Sequence, residues 1–187
     1  LGNTKTNPSV GCLIVKDNFI VSAGFTGYNG TPHAEKNAIS INNKDIKNST
    51  LYSTLEPCSN HGKTPPCVNL IIKSKIKKVF FAINDPDVRS FKKSQKKFRN
   101  EKISVKSNIN KFQSRYFYRS YIKYKKKDLP FVTGKLAVSK DFYSIDKKKK
   151  WITNTYSRGR VHLLRSSHDC LLSTFATVTK DDPNFTC

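Results

Sequence analysis

Two short motifs constrain the fold most, because together they supply three groups of the kind that bind a metal ion. The first is Thr31-Pro32-His33-Ala34-Glu35. The second is Leu55-Glu56-Pro57-Cys58, and eight residues lie between Cys58 and the next cysteine, Cys67. One imidazole and two thiolates leave the fourth position of a tetrahedral zinc ion open, as in catalytic sites, whereas structural sites have four protein ligands. The sequence therefore predicts a fold that brings His33, Cys58 and Cys67 together around a catalytic zinc ion.

Glu35 is the candidate general acid and base of this site. It lies two residues after His33, close enough to move protons without binding the metal. Zinc lowers the pKa of a bound water toward 7, so that hydroxide is available at neutral pH. Zinc deaminases combine these features in the pattern H-x-E followed by P-C-x-x-C. The chain matches this pattern, except that eight residues rather than two separate its cysteines.

The net charge of +22 raises a basic nucleic-acid-binding protein as an alternative. Of the 35 basic residues, 28 are Lys and 7 are Arg, and they are scattered along the chain. Base recognition favours the planar, bidentate guanidinium of Arg, and Lys runs such as 125–127 and 147–150 are typical of solvated loops. We therefore expect a small-molecule substrate rather than a nucleic-acid partner.

Cysteine usage and hydropathy indicate the compartment. The chain has five cysteines, an odd number without a regular spacing, which fits a reducing environment better than a secreted one. No apolar run reaches membrane-spanning length and no signal peptide is visible. We expect a cytoplasmic protein without a membrane partner. The chain contains no Met, and it ends at Cys187, four residues after Asp181-Asp182-Pro183. We therefore expect it to be a fragment of a longer protein.

Hydrophobic patterning predicts alternating strands and helices over the first hundred residues. The predicted strands are 10–15, 20–25, 50–54, 78–83 and 103–105, and the first two form a hairpin. Four helices are predicted: one starts near His33, one starts near Cys67, and the other two span 91–100 and 108–127. This order favours a sheet with helices on both faces. Ligand sites in such folds gather at strand ends and helix starts, where His33, Cys58 and Cys67 fall.

A Lys run follows the last of these helices and predicts a boundary. Beyond it, strands at 131–138 and 170–173 flank a predicted helix at 156–165. The segment is too short to bury a core of its own.

Several motifs resemble the bifunctional riboflavin-biosynthesis deaminase/reductase family. They are Asn7-Pro8-Ser9-Val10-Gly11, the His-Ala-Glu motif, and the run Leu55 to Cys67 with its Thr-Pro-Pro-Cys ending. Asn84-Asp85-Pro86 continues the resemblance, and so do the later segments Lys135-Leu136-Ala137-Val138-Ser139, Trp151-Ile152-Thr153, Leu163-Leu164-Arg165 and Ala176-Thr177-Val178. The eight-residue spacing of the cysteines is specific to this branch of deaminases.

The resemblance implies a cytidine-deaminase-like three-layer α/β/α sandwich with a mixed sheet over residues 1–107. A connecting helix and Lys-rich linker would follow at 108–129, and residues 130–187 would be the truncated start of a dihydrofolate-reductase-like domain. The implied reaction is zinc-dependent hydrolytic deamination of 2,5-diamino-6-(5-phosphoribosylamino)pyrimidin-4-one. In the full-length protein, an NADPH-dependent reduction of the ribosyl side chain would follow. We expect this fragment to deaminate but not to reduce.

The resemblance also implies site residues and compatibility with a homo-oligomer. The zinc ligands would be His33, Cys58 and Cys67, with Glu35 as proton shuttle. Substrate contacts would come from Asn7, His61, Lys63, Thr64 and Arg165, and cofactor contacts from Trp151, Thr177 and Asp181. The chain departs from the family at Phe142, where a Gly is usual, and at Lys149, where a Ser is typical.

One alternative keeps the same fold. A nucleoside, nucleotide or tRNA-base deaminase would use the same zinc ligands, although the wide cysteine spacing argues against it.

Overall fold

The computed structural model describes residues 4–40, 46–62, 64–144 and 151–187. Lys63, a predicted substrate contact, and Lys149 lie outside the described residues. The chain divides into two compact units, of which the first ends at Phe131 and the second begins at Val132. In the part of the chain that is described, no helix combines the length and the apolar character needed to cross a membrane.

A five-stranded mixed sheet forms the centre of the first unit. Its strands are β1 (Gly11–Lys16), β2 (Phe19–Phe25), β3 (Thr50–Ser53), β4 (Lys78–Phe81) and β5 (Ser104–Lys106), in the order β2-β1-β3-β4-β5. β1 is antiparallel to β2 and β3, whereas β3, β4 and β5 are parallel. The predicted hairpin is confirmed: Lys16 pairs with Phe19, and Asp17 and Asn18 have the positive φ angles, 50° and 64°, that a two-residue hairpin turn requires.

Three helices cover one face of this sheet: α1 (Ala34–Ser40), α2 (Cys67–Lys73) and α3 (Lys93–Asn100). Because side chains alternate along a strand, one set of positions points toward these helices. The resulting core joins strand residues to helix residues: Cys12, Ile14, Leu51, Val79 and Phe81 from the sheet, and Ala34, Ala38, Val68, Ile71 and Phe98 from the helices. The predicted α/β fold with a mixed sheet is therefore confirmed.

The opposite face of the sheet is largely exposed within the described residues. Leu13, Phe25 and Tyr52 are 39%, 74% and 38% exposed. A cavity of about 490 Å³ lies on this side, and the segment 109–114 reaches it. Among the described residues, the second helix layer of the predicted three-layer sandwich is thus represented only by the start of the next helix, α4 (Lys111–Phe117).

Two helices, α4 (Lys111–Phe117) and α5 (Arg119–Lys127), replace the single helix predicted at 108–127. They meet at Tyr118, which is buried against Leu55 and Ile83, the residues that follow β3 and β4. The Tyr118 hydroxyl lies 2.6 Å from Thr54 Oγ1 and donates to the Ser9 carbonyl at 2.9 Å. Tyr118 therefore ties the helix pair to the ends of the strands.

The second unit contains α6 (Thr155–Ser166) and α7 (Phe175–Asp181). The helix predicted at 156–165 is confirmed, but the strands predicted at 131–138 and 170–173 are wrong. A strand needs a neighbour to pair its backbone N–H and C=O groups, and the described residues offer these segments none. Leu136 and Leu172 are 78% and 97% exposed, so the apolar pattern read as a strand is not buried. The described part of this unit does not show a dihydrofolate-reductase-like domain.

Candidate metal centre

The fold brings the three predicted metal ligands together. His33 directly precedes α1, Cys58 follows β3, and Cys67 is the first residue of α2. Their ligand atoms lie within 4.8 Å of one another. These residues are at a strand end and at two helix starts, the positions at which the sequence placed them.

The distances between these atoms fit a tetrahedral zinc ion. His33 Nδ1 lies 3.5 Å from Cys58 Sγ and 3.3 Å from Cys67 Sγ. Zinc–nitrogen and zinc–sulfur bonds of about 2.0–2.3 Å separate tetrahedral ligand atoms by roughly 3.3–3.8 Å. Among the described residues, this is the one group of His, Cys, Asp and Glu side chains arranged for a metal ion. The three residues therefore fit zinc and leave a position for a fourth ligand.

The surroundings favour a thiolate at Cys58. A hydrogen bond from the Cys67 thiol lowers the pKa of Cys58 to about 4, and the neighbouring His33 acts in the same direction. The backbone N–H of Cys67 also donates to Cys58 Sγ at 3.3 Å. The pKa of His33 is raised, chiefly by its hydrogen bond with Cys58. A thiolate is the form of cysteine that binds metal, so one ligand is already prepared.

Glu35 lies beside these ligands on the first turn of α1. The residue is 4% exposed, and burial raises the pKa of its carboxyl group above the usual value. Its carboxylate also interacts with the side chain of Cys67, and Ser53 Oγ is 3.5 Å from Oε1. A buried carboxyl group with a raised pKa holds a proton more readily than an exposed one, which suits a group that takes and returns a proton during a reaction.

Strand β2 holds the helix that carries His33 and Glu35. A Cβ atom on Gly24 would lie 2.4 Å from the Ala34 carbonyl oxygen and 2.4 Å from the Ala38 nitrogen, so only glycine permits this approach. Ser22 Oγ donates to the Ala38 carbonyl at 2.5 Å. The close packing of strand and helix fixes the height of α1 above the sheet.

Glu56 is a buried residue of the site region to which sequence reasoning assigned no role. It is 2% exposed. Its carboxylate accepts hydrogen bonds from the backbone N–H groups of Asp85, Lys92 and Ser94 at 3.1, 3.0 and 3.3 Å, and from Ser94 Oγ at 2.6 Å. The signal was its place two residues before Cys58, although nothing local shows that its partners lie about thirty residues further on.

The predicted substrate contacts of the first unit lie on two loops. Asn7 donates from Nδ2 to the Gly30 carbonyl at 3.0 Å, and therefore braces the loop that leads to His33. His61 is exposed and Thr64 half-buried, on the loop that joins Cys58 to Cys67. The roles of these residues in substrate binding stay predictions.

The other predicted contacts belong to the second unit. Trp151 precedes α6 and has the Arg158 guanidinium 4.8 Å from its ring centre. Arg165 lies in α6 and donates to the Thr186 carbonyl at 3.2 Å. Thr177 and Asp181 lie in α7. Their roles toward substrate and cofactor also stay predictions.

Comparison with protein families supports the assignment of the metal centre. Residues 1–83 match the cytidine and deoxycytidylate deaminase zinc-binding region. The chain is 37% identical over 187 residues to the riboflavin biosynthesis protein RibD of Aquifex aeolicus, covering 99% of this chain and 52% of that protein. It is 34% identical over 185 residues to RibD of Escherichia coli K12, covering 98% and 50%. The chain thus spans about half the length of the curated relatives it matches.

Solved structures agree. A Thermotoga maritima diaminohydroxyphosphoribosylaminopyrimidine deaminase/5-amino-6-(5-phosphoribosylamino)uracil reductase superposes with a TM-score of 0.94 at 40% identity, covering 100% of this chain and 54% of that one. Acinetobacter baumannii RibD superposes with a TM-score of 0.89 at 33% identity, covering 97% and 52%. By sequence and by structure, the chain is similar to the RibD riboflavin biosynthesis proteins over about half of their length, and its residues 1–83 match the deaminase zinc-binding region.

Proposed function

We propose that the first unit catalyses the hydrolytic deamination of 2,5-diamino-6-(5-phosphoribosylamino)pyrimidin-4-one in riboflavin biosynthesis. The observation that carries the proposal is the convergence of His33, Cys58 and Cys67 within 4.8 Å, with the buried carboxyl of Glu35 beside them. Homology to RibD along nearly the whole chain supports the choice of substrate.

Each residue of the site has a defined task in this reaction. His33, Cys58 and Cys67 would hold the zinc ion, which when bound makes hydroxide available near neutral pH. Glu35 takes one proton from the attacking water and delivers a proton to the departing amino group. A carbon–oxygen bond to the ring forms, the carbon–nitrogen bond breaks, and ammonia leaves. The burial of Glu35 keeps bulk water away from this proton.

The phosphoribosyl end of the substrate calls for cationic and hydrogen-bonding groups. We assign this end to the loop that carries His61, Lys63 and Thr64, and the pyrimidine ring to Asn7. A phosphate attracts Lys and protonated His by charge. The exposure of His61 is in keeping with a group that waits for a ligand from solvent.

We assign the second unit to the reductase half of the longer protein. On this proposal Trp151, Thr177 and Asp181 contact NADPH and Arg165 contacts the substrate. The basis is homology, since the structures of two RibD-type proteins cover almost the whole chain. A complete nicotinamide pocket needs strands that the described residues do not form.

The deciding experiment is ammonia release from the diaminopyrimidine substrate by the purified, zinc-loaded chain, with and without a chelator. We expect one zinc per chain and turnover that the chelator abolishes and added zinc restores. Cytidine, dCMP and tRNA serve as competing substrates, and turnover on one of them instead would assign the chain to the alternative deaminases. Absence of zinc, or zinc retained in Cys58→Ala/Cys67→Ala, would overturn the metal assignment.

A further inference from the structure

The residues that follow β4 form a support for the loop that joins the two cysteine ligands. We call residues 85–97 the support segment, and the described residues between Cys58 and Cys67 (59–62 and 64–66) the ligand loop. The Glu56 carboxylate binds N–H groups of the support segment at Asp85 and at Lys92. One buried carboxylate therefore fixes the segment near its start and past its middle.

The support segment is also braced from the helix side. Tyr121 of α5 donates from its hydroxyl to Asp85 Oδ1 at 3.1 Å. Asp87 Oδ2 lies 2.7 Å from Arg89 Nη2 and 3.3 Å from Lys125 Nζ. None of these bonds involves the ligand loop. The support segment thus has partners that hold its shape independently of the ligand loop.

Two hydrogen bonds connect the support segment to the ligand loop. Ser90, 2% exposed, donates from Oγ to Asn60 Oδ1. Lys97 donates from Nζ to the Ser59 carbonyl at 2.9 Å. Lys97 is exposed, so its bond competes with water, whereas the Ser90 hydroxyl is shielded and its bond is worth more.

Residues 61 and 62 of the ligand loop have no hydrogen bond to another element in the described structure. His61 and Gly62 are exposed, and a Cβ atom on Gly62 would meet nothing within 4 Å. The His61 ring forms a hydrogen bond with the adjacent Gly62 carbonyl at 3.2 Å, and this bond does not anchor the loop to the fold. Asn60 is thus the point at which a buried side chain of another element grips this loop.

We propose that Ser90 is a positioning residue: by holding Asn60 it sets the place of the ligand loop, and through the loop the affinity for the phosphorylated substrate. The inference rests on the proposed function for the substrate, but its structural part does not. Ser90 contacts neither the metal ligands nor Glu35 through any hydrogen bond in the described structure, so its loss alters substrate binding rather than the chemical step.

The test compares Ser90→Ala, Asn60→Ala and the double variant with the parent chain, all loaded with zinc. Ser74→Ala is the matched control, because it also removes a serine hydroxyl, which donates to the Leu70 carbonyl at 2.8 Å at the opposite end of α2 from Cys67. We expect each single variant to raise KM about three- to tenfold, the effect of one hydrogen bond, with kcat and zinc content retained. The double variant should be no worse than the single variants, since both remove the same bond.

Amide hydrogen exchange provides a readout that does not depend on turnover. In Ser90→Ala and Asn60→Ala, the amides of residues 59–62 should exchange faster than in the parent, whereas the amides of α2 should exchange at the parent rate. In the control Ser74→Ala, the amides of residues 59–62 should also exchange at the parent rate. A parent chain without turnover would refute the proposed function, and exchange would still decide the role of Ser90. Unchanged hydrogen exchange in the two single variants overturns the inference. If the parent enzyme is active, an unchanged KM in the single variants also overturns it, and so does a double variant whose KM rises by the product of the two single effects.

Discussion

Glu35 is a carboxyl group that the fold buries beside two thiols. Replacing it by Gln keeps its shape but removes its ability to take a proton from water. We expect Glu35→Gln to bind zinc normally and to lose about 10²–10⁴-fold in kcat, the usual contribution of a positioned general acid and base. Ammonia release and metal analysis measure both quantities. Glu101→Gln, an exposed carboxylate at the end of α3, is the control, and near-normal turnover of Glu35→Gln would show that another residue moves the proton.

Asp85 is a second buried carboxyl group, and burial raises its pKa to about 6. Since this pKa exceeds the ordinary value of about 3.9, the folded state holds the proton more tightly than the unfolded chain. The free energy of unfolding contributed by Asp85 is therefore fully present below about pH 4 and is lost as the pH rises through about 6. Asp87 acts oppositely: hydrogen bonds from Arg89 lower its pKa, so its contribution is lost only as the pH falls below the ordinary value.

Asp85→Asn should therefore remove this pH dependence. The amide oxygen of Asn can still accept from the Tyr121 hydroxyl and the Asp87 N–H, without a charge to bury. We expect the variant to gain about 1–3 kcal/mol in the free energy of unfolding at pH 8 and much less at pH 4. Urea unfolding at pH 4, 6 and 8 measures this difference, and an equal effect at all three would contradict it.

At the scale of elements, the contact between β2 and α1 decides whether the metal ligands meet. In Gly24→Ala the new methyl group would overlap the backbone of α1. We expect a loss of about 1–3 kcal/mol, typical of overpacking, together with weaker zinc binding, because His33 moves with the helix. Gly11→Ala is the matched control in β1: its Cβ would lie 3.7 Å from Thr54 Cγ2, an ordinary contact. Denaturant unfolding and zinc titration of both variants compare them, and equal behaviour would argue against the steric explanation.

A turn in the second unit stores strain at Phe142. This residue has a φ of 67° and is 84% exposed, so it occupies the left-handed region without packing in return. Gly would relieve roughly 1–2 kcal/mol and cost roughly 0.5–1 kcal/mol in chain entropy. We expect the Phe142 N–H, which donates to the Ser139 carbonyl at 3.0 Å, to exchange about two- to fivefold more slowly in Phe142→Gly. Phe142→Ala, which keeps the strain, should show no such slowing.

Local patterns were sufficient to predict most elements of the first unit. Apolar runs bounded by Asp17-Asn18 and by Pro residues predicted the hairpin and the starts of α1 and α2. The motif named three residues, His33, Cys58 and Cys67, that the fold brings together. The strands predicted in the second unit failed because a strand is defined by its neighbour. The hydrogen bonds of Glu56 join it to residues that lie 29 to 38 positions away in the sequence. The hydrogen bond of Ser90 joins it to Asn60, which lies 30 positions away. Such pairs depend on the fold, and composition or spacing does not reveal them.

At the scale of the whole molecule, an exposed apolar sheet face favours association between copies of the chain, whereas the positive net charge opposes it. The sheet face opposite α1 presents Leu13, Phe25 and Tyr52 to solvent, and apolar surfaces of this kind attract one another in water. The chain also carries 35 basic and 13 acidic residues, so copies of it repel at long range. The first force is short-ranged and insensitive to salt, whereas the second is screened over about 10 Å at 0.1 M salt.

Because of the exposed sheet face, we expect the self-association of this chain in solution to depend on ionic strength. We expect light scattering of the purified chain to rise with NaCl between about 0.05 and 1 M, as the screening length falls from above 10 Å to about 3 Å. Tyr52→Lys should delay the rise, because it adds charge and removes an aromatic ring from the exposed face, whereas Tyr156→Lys, at an exposed position of α6, tests for the charge alone. Scattering that falls with salt would mean that charge attraction, and not this apolar face, brings the copies together.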